Sequence, residues 1–244
     1  GVISDNRHKL SGILNGIDTT LYNPWKDHGL TQFYSARQLK GKQACKQSLQ
    51  RASGLNEASD VPIIACVSRL VPHKGFDLIQ TVLHELMSME LQMVVLGTGD
   101  WYYEESFRHA QSQYPGRFAA HLMYSPALAT AIYGGADMLL MPSISEPCGL
   151  SQMIAMRYGT LPIVRETGGL VDTVIPNGME GANGFSFANI NAYDMLWVIR
   201  EAVQLYQSDK KSWRALQRSA MSADFSWIRS AQQYLDLYSR LTES

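Results

Sequence analysis

From Val61 onward the sequence alternates short apolar runs with segments of helical period, and this alternation limits the possible folds more than any other feature. Pro62-Ile-Ile-Ala-Cys-Val-Ser68 is a continuous apolar run of strand length. Between Gly75 and Met89 the apolar residues Phe76, Leu78, Ile79, Val82, Leu83 and Leu86 recur at helical spacing. A strand run follows at Leu91 to Leu96, then a helix over Tyr102 to Tyr114 and a strand over Phe118 to Met123. A helix over Pro126 to Tyr133, a strand over Asp137 to Met141, a helix over Leu150 to Tyr158 and a strand over Thr160 to Val164 complete the series. The strand runs lack clean two-residue alternation, so helices are expected on both faces. The pattern predicts an α/β fold with a doubly wound parallel sheet.

This core, 61–190, is flanked by two different stretches. Residues 1–60 are turn-rich, with Asn15-Gly16 as a turn signal. They are expected to supply a lead-in strand and a polar helix over Tyr34 to Ser53, closed by Gly54. Residues 191–244 read as three amphipathic helices over Ala192 to Gln207, Asp209 to Met221 and Ser226 to Leu241. With no internal repeat, low-complexity segment or interior linker, 1–244 is expected to form one domain.

Charge and composition exclude several classes. There are 21 basic and 22 acidic residues, a net charge of −1. No sequence-wide basic field exists for nucleic acid or anionic lipid, so neither is an expected partner. Apolar runs such as Met138 to Met141 fall far short of the roughly 20 residues that span a bilayer. Cys45, Cys66 and Cys148 form no CxxC pair, which argues against a disulfide framework and a zinc site and for a reducing, cytoplasmic compartment. No HExxH or GxSxG motif is present, so metalloprotease and hydrolase-triad chemistry find no support. The opening stretch is polar, begins with Gly and reads as mid-protein sequence; the chain is expected to be a fragment of a longer protein.

In open parallel sheets, ligands bind at the carboxyl ends of the strands. Five loops are therefore the places to search. In Ser68-Arg-Leu-Val-Pro-His-Lys-Gly75, Arg69 and Lys74 bracket a proline turn before a helix and suit a diphosphate; solvated surface charges are the plainer alternative. Leu96-Gly-Thr-Gly-Asp100 begins like a dinucleotide fingerprint but lacks the third glycine, so a tight strand-to-helix turn is the favoured reading. Tyr124 sits at a strand end, where its ring can stack on a base or simply pack. In Pro142-Ser-Ile-Ser-Glu-Pro-Cys-Gly-Leu150, Glu146 can hold sugar hydroxyls while the Gly149 and Leu150 amides receive a phosphate. A helix-capping Glu is the alternative. Thr167, Gly168 and Gly169 follow the last strand run and allow close backbone approach to a phosphate or sugar. Cys148 has no evident His partner and reads better as a small packing residue than as a nucleophile.

Taken together, these residues resemble a known family. Ser68-Arg69-Leu-x-x-x-Lys74-Gly75, Tyr124-Ser125, Gly134-Gly-Ala-Asp137 and Pro142-Ser-x-x-Glu146-Pro-Cys-Gly-Leu150 are similar to the C-terminal half of bacterial glycogen synthases and plant starch synthases. So are the stretch from Gly159 through Thr167-Gly-Gly-Leu170 to Val174 and the early Leu14-Asn-Gly-Ile-Asp18 with Tyr22-Asn-Pro24. The match runs in order through nearly the whole chain.

The resemblance implies a Rossmann-like domain of a GT-B glycosyltransferase, with the active site between two such domains. It implies transfer of glucose from ADP-glucose to the non-reducing end of an α-1,4-glucan, with retention, release of ADP, and no metal or other cofactor. Arg69 and Lys74 then look like the diphosphate pair, which would stabilise charge on the departing ADP. Glu146 looks like the carboxylate that holds the donor glucose. Cys148, Gly149 and Leu150 look like the loop touching sugar and phosphate, with Thr167 and Gly168 beside it, and Tyr124 like the residue packing on adenine. Ile154 stands where the wider superfamily has a second Glu, so no ribose carboxylate is carried over. The family's N-terminal domain is absent and no Lys-x-Gly-Gly occurs. The chain alone is therefore expected not to transfer glucose at a useful rate, and its last helix resembles the segment that braces the missing domain.

Three other readings fit the residues less well. A non-catalytic binding module of the same fold need not keep Arg69, Lys74 and Glu146 together. A nicotinamide dehydrogenase is disfavoured by the broken glycine fingerprint. A sugar-nucleotide epimerase fits the Glu146 to Leu150 block poorly.

Overall fold

All six strands run parallel: β1 (Ile63–Val67), β2 (Gln92–Leu96), β3 (Phe118–His121), β4 (Met138–Met141), β5 (Leu161–Arg165) and β6 (Phe185–Phe187). The sheet order is β3-β2-β1-β4-β5-β6, the doubly wound order of a Rossmann-like sheet. The computed structural model describes residues 2–242; Gly1, with which the polar opening stretch starts, and Glu243 and Ser244, with which the C-terminal helical region closes, lie outside them. Every residue of β2 and of β5 is buried. Successive strand residues face opposite sides, so both faces are covered, which explains the missing alternation.

The connections are helical. After α1 (Val2–Asp5) and α2 (Lys40–Ala52) come α3 (Phe76–Thr81), α4 (Leu83–Ser88), α5 (Trp101–Gln113) and α6 (Pro126–Gly135). Then follow α7 (Ser151–Arg157), α8 (Gly169–Thr173), α9 (Ala192–Ser208), α10 (Lys210–Ser222) and α11 (Trp227–Thr242). Side-chain caps open several of them. Ser125 Oγ accepts from Leu128 N, with Pro126 at the first helical position. Asn191 and Asp209 cap α9 and α10 in the same way.

Three local readings of the sequence change. The helix expected from Gly75 to Met89 divides at Val82, where φ is −118°. Thr81 Oγ1 donates to the Asp77 carbonyl at 2.7 Å, a back-bond that bends helices. Residues 1–60 supply no strand among the described residues; Ile17 makes only a parallel bridge with Ser226. The lead-in helix starts at Lys40 instead of Tyr34, because Ser35 and Gln38 close a small turn, Ser35 N–H donating to Gln38 O at 3.2 Å. Tyr34 is instead wholly buried, its hydroxyl donating to the carbonyls of Gly134 (3.1 Å) and Tyr158 (2.9 Å).

A buried polar network ties the amino ends of the strands. Lys46 pairs with Asp137 at 2.8 Å, and Asp137 Oδ2 accepts the Ile63 N–H at 2.9 Å. Lys46 also donates to Tyr206 Oη at 2.8 Å. Lys42 Nζ donates to Thr160 Oγ1 at 2.7 Å and to Gly134 O at 3.1 Å. Burial, the largest cause, pulls its ammonium down to about 7, against a raising influence from Asp137.

Helix α11 is largely exposed, with Ser230 its one buried residue among those described. Ile228, Leu235, Tyr238 and Leu241 are all exposed, Ile228 to 82%. Its amphipathic pattern therefore presents an apolar side that this domain does not cover.

Candidate active site

β1 and β4 are hydrogen-bonded neighbours, yet the chain leaves β1 towards β2 and β3 before returning to β4. The loops after β1 and β4 diverge at this switch point and leave a crevice at the carboxyl ends of the strands.

Two of the predicted residues meet there. After β1, the 3-10 turn Pro72–Lys74 closes on Gly75, whose φ is +75°. A Cβ on Gly75 would lie 1.9 Å from the Pro142 carbonyl oxygen, so only glycine lets the β1 loop lie against the β4 loop. The Ile144 N–H donates to the His73 carbonyl at 2.8 Å and joins the two loops. Lys74 Nζ then sits 2.5 Å from Glu146 Oε2. Ser143 Oγ donates to the same oxygen at 3.2 Å. Both contacts use Oε2, so Oε1 makes no hydrogen bond among the described residues. Glu146 is only 8% exposed, and a carboxylate so buried requires a partner of opposite charge.

Arg165, at the end of β5, holds the Glu146 loop in place. Its Nε donates to Ser143 O at 2.8 Å and its Nη2 to Ile144 O at 2.6 Å. Sequence reasoning gave Arg165 no role, because no spacing signals that one guanidinium meets these carbonyls.

The glycine-rich turn after β5 packs on the other side of Glu146. Gly168 has φ +48°, and a Cβ there would lie 2.0 Å from the Glu146 carbonyl oxygen. Gly169 N–H donates to the carbonyls of Glu146 and Pro147, both at 3.2 Å. Thr167 is half-buried beside them. Cys148 is a half-buried free thiol, and its carbonyl accepts from Gln152 Nε2 at 3.1 Å, as the Gly149 carbonyl does at 3.0 Å. The Gly149 and Leu150 N–H groups donate to no acceptor among the described residues. They stand at the start of α7, where unpaired amides carry partial positive charge. Leu150 occupies the N-cap position, with its side chain largely exposed.

Arg69 and Tyr124 belong to an adjoining cavity of about 470 Å³ at the carboxyl ends of β1, β2 and β3. Lys74, Glu146 and the glycine turn are not in its lining, so the predicted residues form two groups. Tyr124 is 87% exposed and stands open to a ligand instead of packing. Tyr133 lies deeper, and burial raises its hydroxyl to about 12, which keeps it a neutral donor or acceptor. Ile154 contributes apolar wall. Asp27, which sequence reasoning missed, also lines the cavity and accepts from the Tyr158 hydroxyl and from the Gly29 N–H at 2.8 Å. It lies in the turn-rich lead-in, where no periodicity flags it. The Gly97 and Gly99 pair serves loop packing. A Cβ would lie 1.8 Å from Ser68 O and 2.1 Å from Leu70 O respectively, so this GxG brings the β2 loop onto the β1 loop. Among the described residues no cluster of metal-ligating side chains occurs, and no helix is long and apolar enough to cross a membrane.

Comparison with known proteins gives this geometry a context. The family model described as glycosyl transferases group 1 matches residues 50–217. The glycogen synthase of Geobacillus thermodenitrificans is 51% identical over 243 residues, covering 99% of this chain and 50% of that protein. The glycogen synthase of Bacillus cereus strain Q1 is 47% identical over 245 residues, covering 100% of this chain and 51% of that one. The chain thus spans about half the length of the curated relatives it matches. The solved catalytic domain of starch synthase IV from Arabidopsis thaliana, bound to ADP and acarbose, matches with a TM-score of 0.92 and 37% identity. That match covers 100% of this chain and 51% of that one. A sucrose-phosphate synthase from Thermosynechococcus elongatus shares the fold, with a TM-score of 0.67 at 21% identity.

Proposed function

The chain belongs to the group 1 glycosyl transferases, and from that premise we propose that it is the nucleotide-sugar-binding half of a retaining glucosyltransferase of glycogen or starch synthesis. The donor in this reading is ADP-glucose and the acceptor the non-reducing end of an α-1,4-glucan. The observation that carries it is the Lys74–Glu146 pair at the switch point, beside a cavity lined by Arg69 and Tyr124. The likeness to a starch synthase bound to ADP and acarbose supports both the nucleotide and the glucan.

The chemistry assigns each group a task. The glucose C1–O bond to the diphosphate breaks, a bond forms from C1 to the acceptor 4-oxygen, and the acceptor proton leaves with ADP. Negative charge grows on the diphosphate as the bond breaks. Arg69 and Lys74, with the Gly149 and Leu150 amides, supply the compensating positive charge without a metal or other cofactor. Glu146 Oε1 is available to the glucose hydroxyls, and the open Tyr124 ring to the adenine face.

All these groups lie on one wall of a crevice. Transfer needs an opposite wall to position the acceptor, and the exposed apolar side of α11 suits the other half of the longer protein. The chain alone is therefore expected to bind the nucleotide but to transfer glucose at a negligible rate.

Calorimetric titration of the chain with ADP, UDP and NAD tests the reading. ADP is expected to bind in preference to the other two, and Arg69→Ala to abolish that binding. Preference for UDP would overturn the donor assignment, and preference for NAD the glycosyltransferase reading of the site.

A further inference from the structure

The largest cavity described in this chain, about 610 Å³, lies at the opposite end of the sheet from the crevice, between α2, α9 and α10. Its position follows from the residues that bound it. Ser59 and Asp60 precede β1, and Asp137 precedes β4, so the cavity opens at the amino ends of the strands.

Its charge is far from that of the chain as a whole. Seven lining side chains are Lys or Arg and two are Asp, whereas the chain carries a net charge of −1. Lys46 is neutralised by Asp137, and Lys42 is spent on Thr160 and backbone carbonyls. Arg37, Lys40, Lys210, Arg214 and Arg218 remain. None of them has a carboxylate within 4.0 Å among the described residues, and Asp60 is the one other acidic side chain in the lining. Lys210, Arg214 and Arg218 are spaced by four and share one face of α10. Lys210 lies over the Tyr206 ring, 3.4 Å from its centroid, while Lys46 lies 4.9 Å from the same centroid. Two ammonium groups are thus packed on a single aromatic.

The placement is also wrong by ordinary helix rules. Both α2 and α10 begin at this cavity with a lysine, and neither has an acidic residue in its first turn. Cations at a helix N-terminus oppose the dipole and cost stability. Asp209 caps α10, but its carboxylate is taken up by Lys211 N, Ser212 N and Ser212 Oγ and is absent from the lining. When local rules are broken together in one place, a functional site is the expected reason.

We propose that this cavity is a second ligand site, which binds a small phosphorylated molecule carrying at least two negative charges. Arginine guanidinium groups match phosphoryl oxygens in paired geometry, and helix N-termini add their own positive potential. The recess is sized for a small molecule. It is independent of the crevice chemistry, since it shares no lining residue with the Arg69 cavity.

The test is calorimetric titration of Arg69→Ala protein with inorganic pyrophosphate and tripolyphosphate, with citrate as a non-phosphoryl trianion. Arg69→Ala removes one of the crevice's cations, and only binding that the α2 and α10 substitutions weaken is counted for the second site. One equivalent of pyrophosphate is expected to bind. Adding Arg214→Gln and Arg218→Gln should weaken binding by at least about tenfold, and adding Lys40→Gln and Lys210→Gln, at the starts of α2 and α10, should do the same. Arg214→Gln with Arg218→Gln should not lower the melting temperature of the protein, because that pair removes unpaired like charge. No binding to Arg69→Ala protein, undiminished affinity in the folded variants, or citrate binding as tightly as pyrophosphate would each overturn the proposal.

Discussion

Lys74 and Glu146, 72 positions apart in the sequence, meet at 2.5 Å across the crevice between the loops that follow β1 and β4. Within this domain each is the counter-charge of the other. A diphosphate entering the crevice would compete with Glu146 for the Lys74 ammonium. In the proposed reaction the pair would keep Lys74 pointed at the site while moderating its hold on the departing ADP.

This relationship separates binding from chemistry at Glu146. Glu146→Gln, introduced into the full-length protein, is expected to reduce glucosyl transfer by about a hundredfold or more. ADP affinity should stay the same or increase slightly, since the competing charge is gone. Turnover assays and calorimetry on the same variant decide the matter; a parallel loss of ADP affinity would show that Glu146 holds the nucleotide instead of the sugar.

Arg69→Ala and Lys74→Ala should each lower turnover in the full-length protein by about two orders of magnitude or more, because both are assigned to charge that develops as ADP departs. Single-turnover kinetics would locate the loss in the chemical step. Near-normal rates would remove the residue from the diphosphate site.

Arg165 is a positioning residue. Arg165→Met leaves the carbonyls of Ser143 and Ile144 without their donor and is expected to cost about 2 kcal/mol of stability. Arg165→Lys should recover little, since one ammonium cannot span both carbonyls. A merely structural role would lower only the unfolding midpoint. The positioning role predicts in addition that, in the folded full-length variant at low temperature, kcat falls while KM for the donor changes little.

Lys42 makes stability depend on pH. Burial lowers its pKa to about 7 from the ordinary 10.5. Between those values the unfolded chain holds a proton that the folded chain has released, so stability rises with pH across that window. Relative to Lys42→Met, the unmodified protein should gain up to about 1.4 kcal/mol per pH unit between pH 7 and 10. Urea unfolding of both proteins at several pH values measures this; a flat or falling difference would refute it.

How much of this was readable in advance follows from where each signal resides. The strands through β5 and most of their helices were legible because burial on both faces leaves long apolar runs. The break at Val82 was not, since it depends on whether Thr81 turns its hydroxyl back to Asp77. Nor were α8 and β6, which at five and three residues are too short for any period. Arg69, Lys74, Tyr124 and Glu146 were legible as chemistry-bearing side chains just past strand ends. Arg165 and Asp27 act through partners distant in sequence, and no spacing announces them. The cations of the second cavity come from α2, α10 and the turn before α2, so each alone reads as a solvated surface charge.

The bridge between Ile17 and Ser226 carries a mechanical consequence. Ile17 N–H donates to Phe225 O at 2.7 Å, Trp227 N–H donates to Ile17 O at 3.4 Å, and a Cβ on Gly16 would lie 2.4 Å from Trp227 N. Two passages of the chain, over two hundred residues apart, cross the edge of the domain side by side. A second body joined through both passages would be fastened at a single pivot with two leaves. It could swing open and shut about that line but not slide or spin freely, so the distance between facing walls would be governed by one angle.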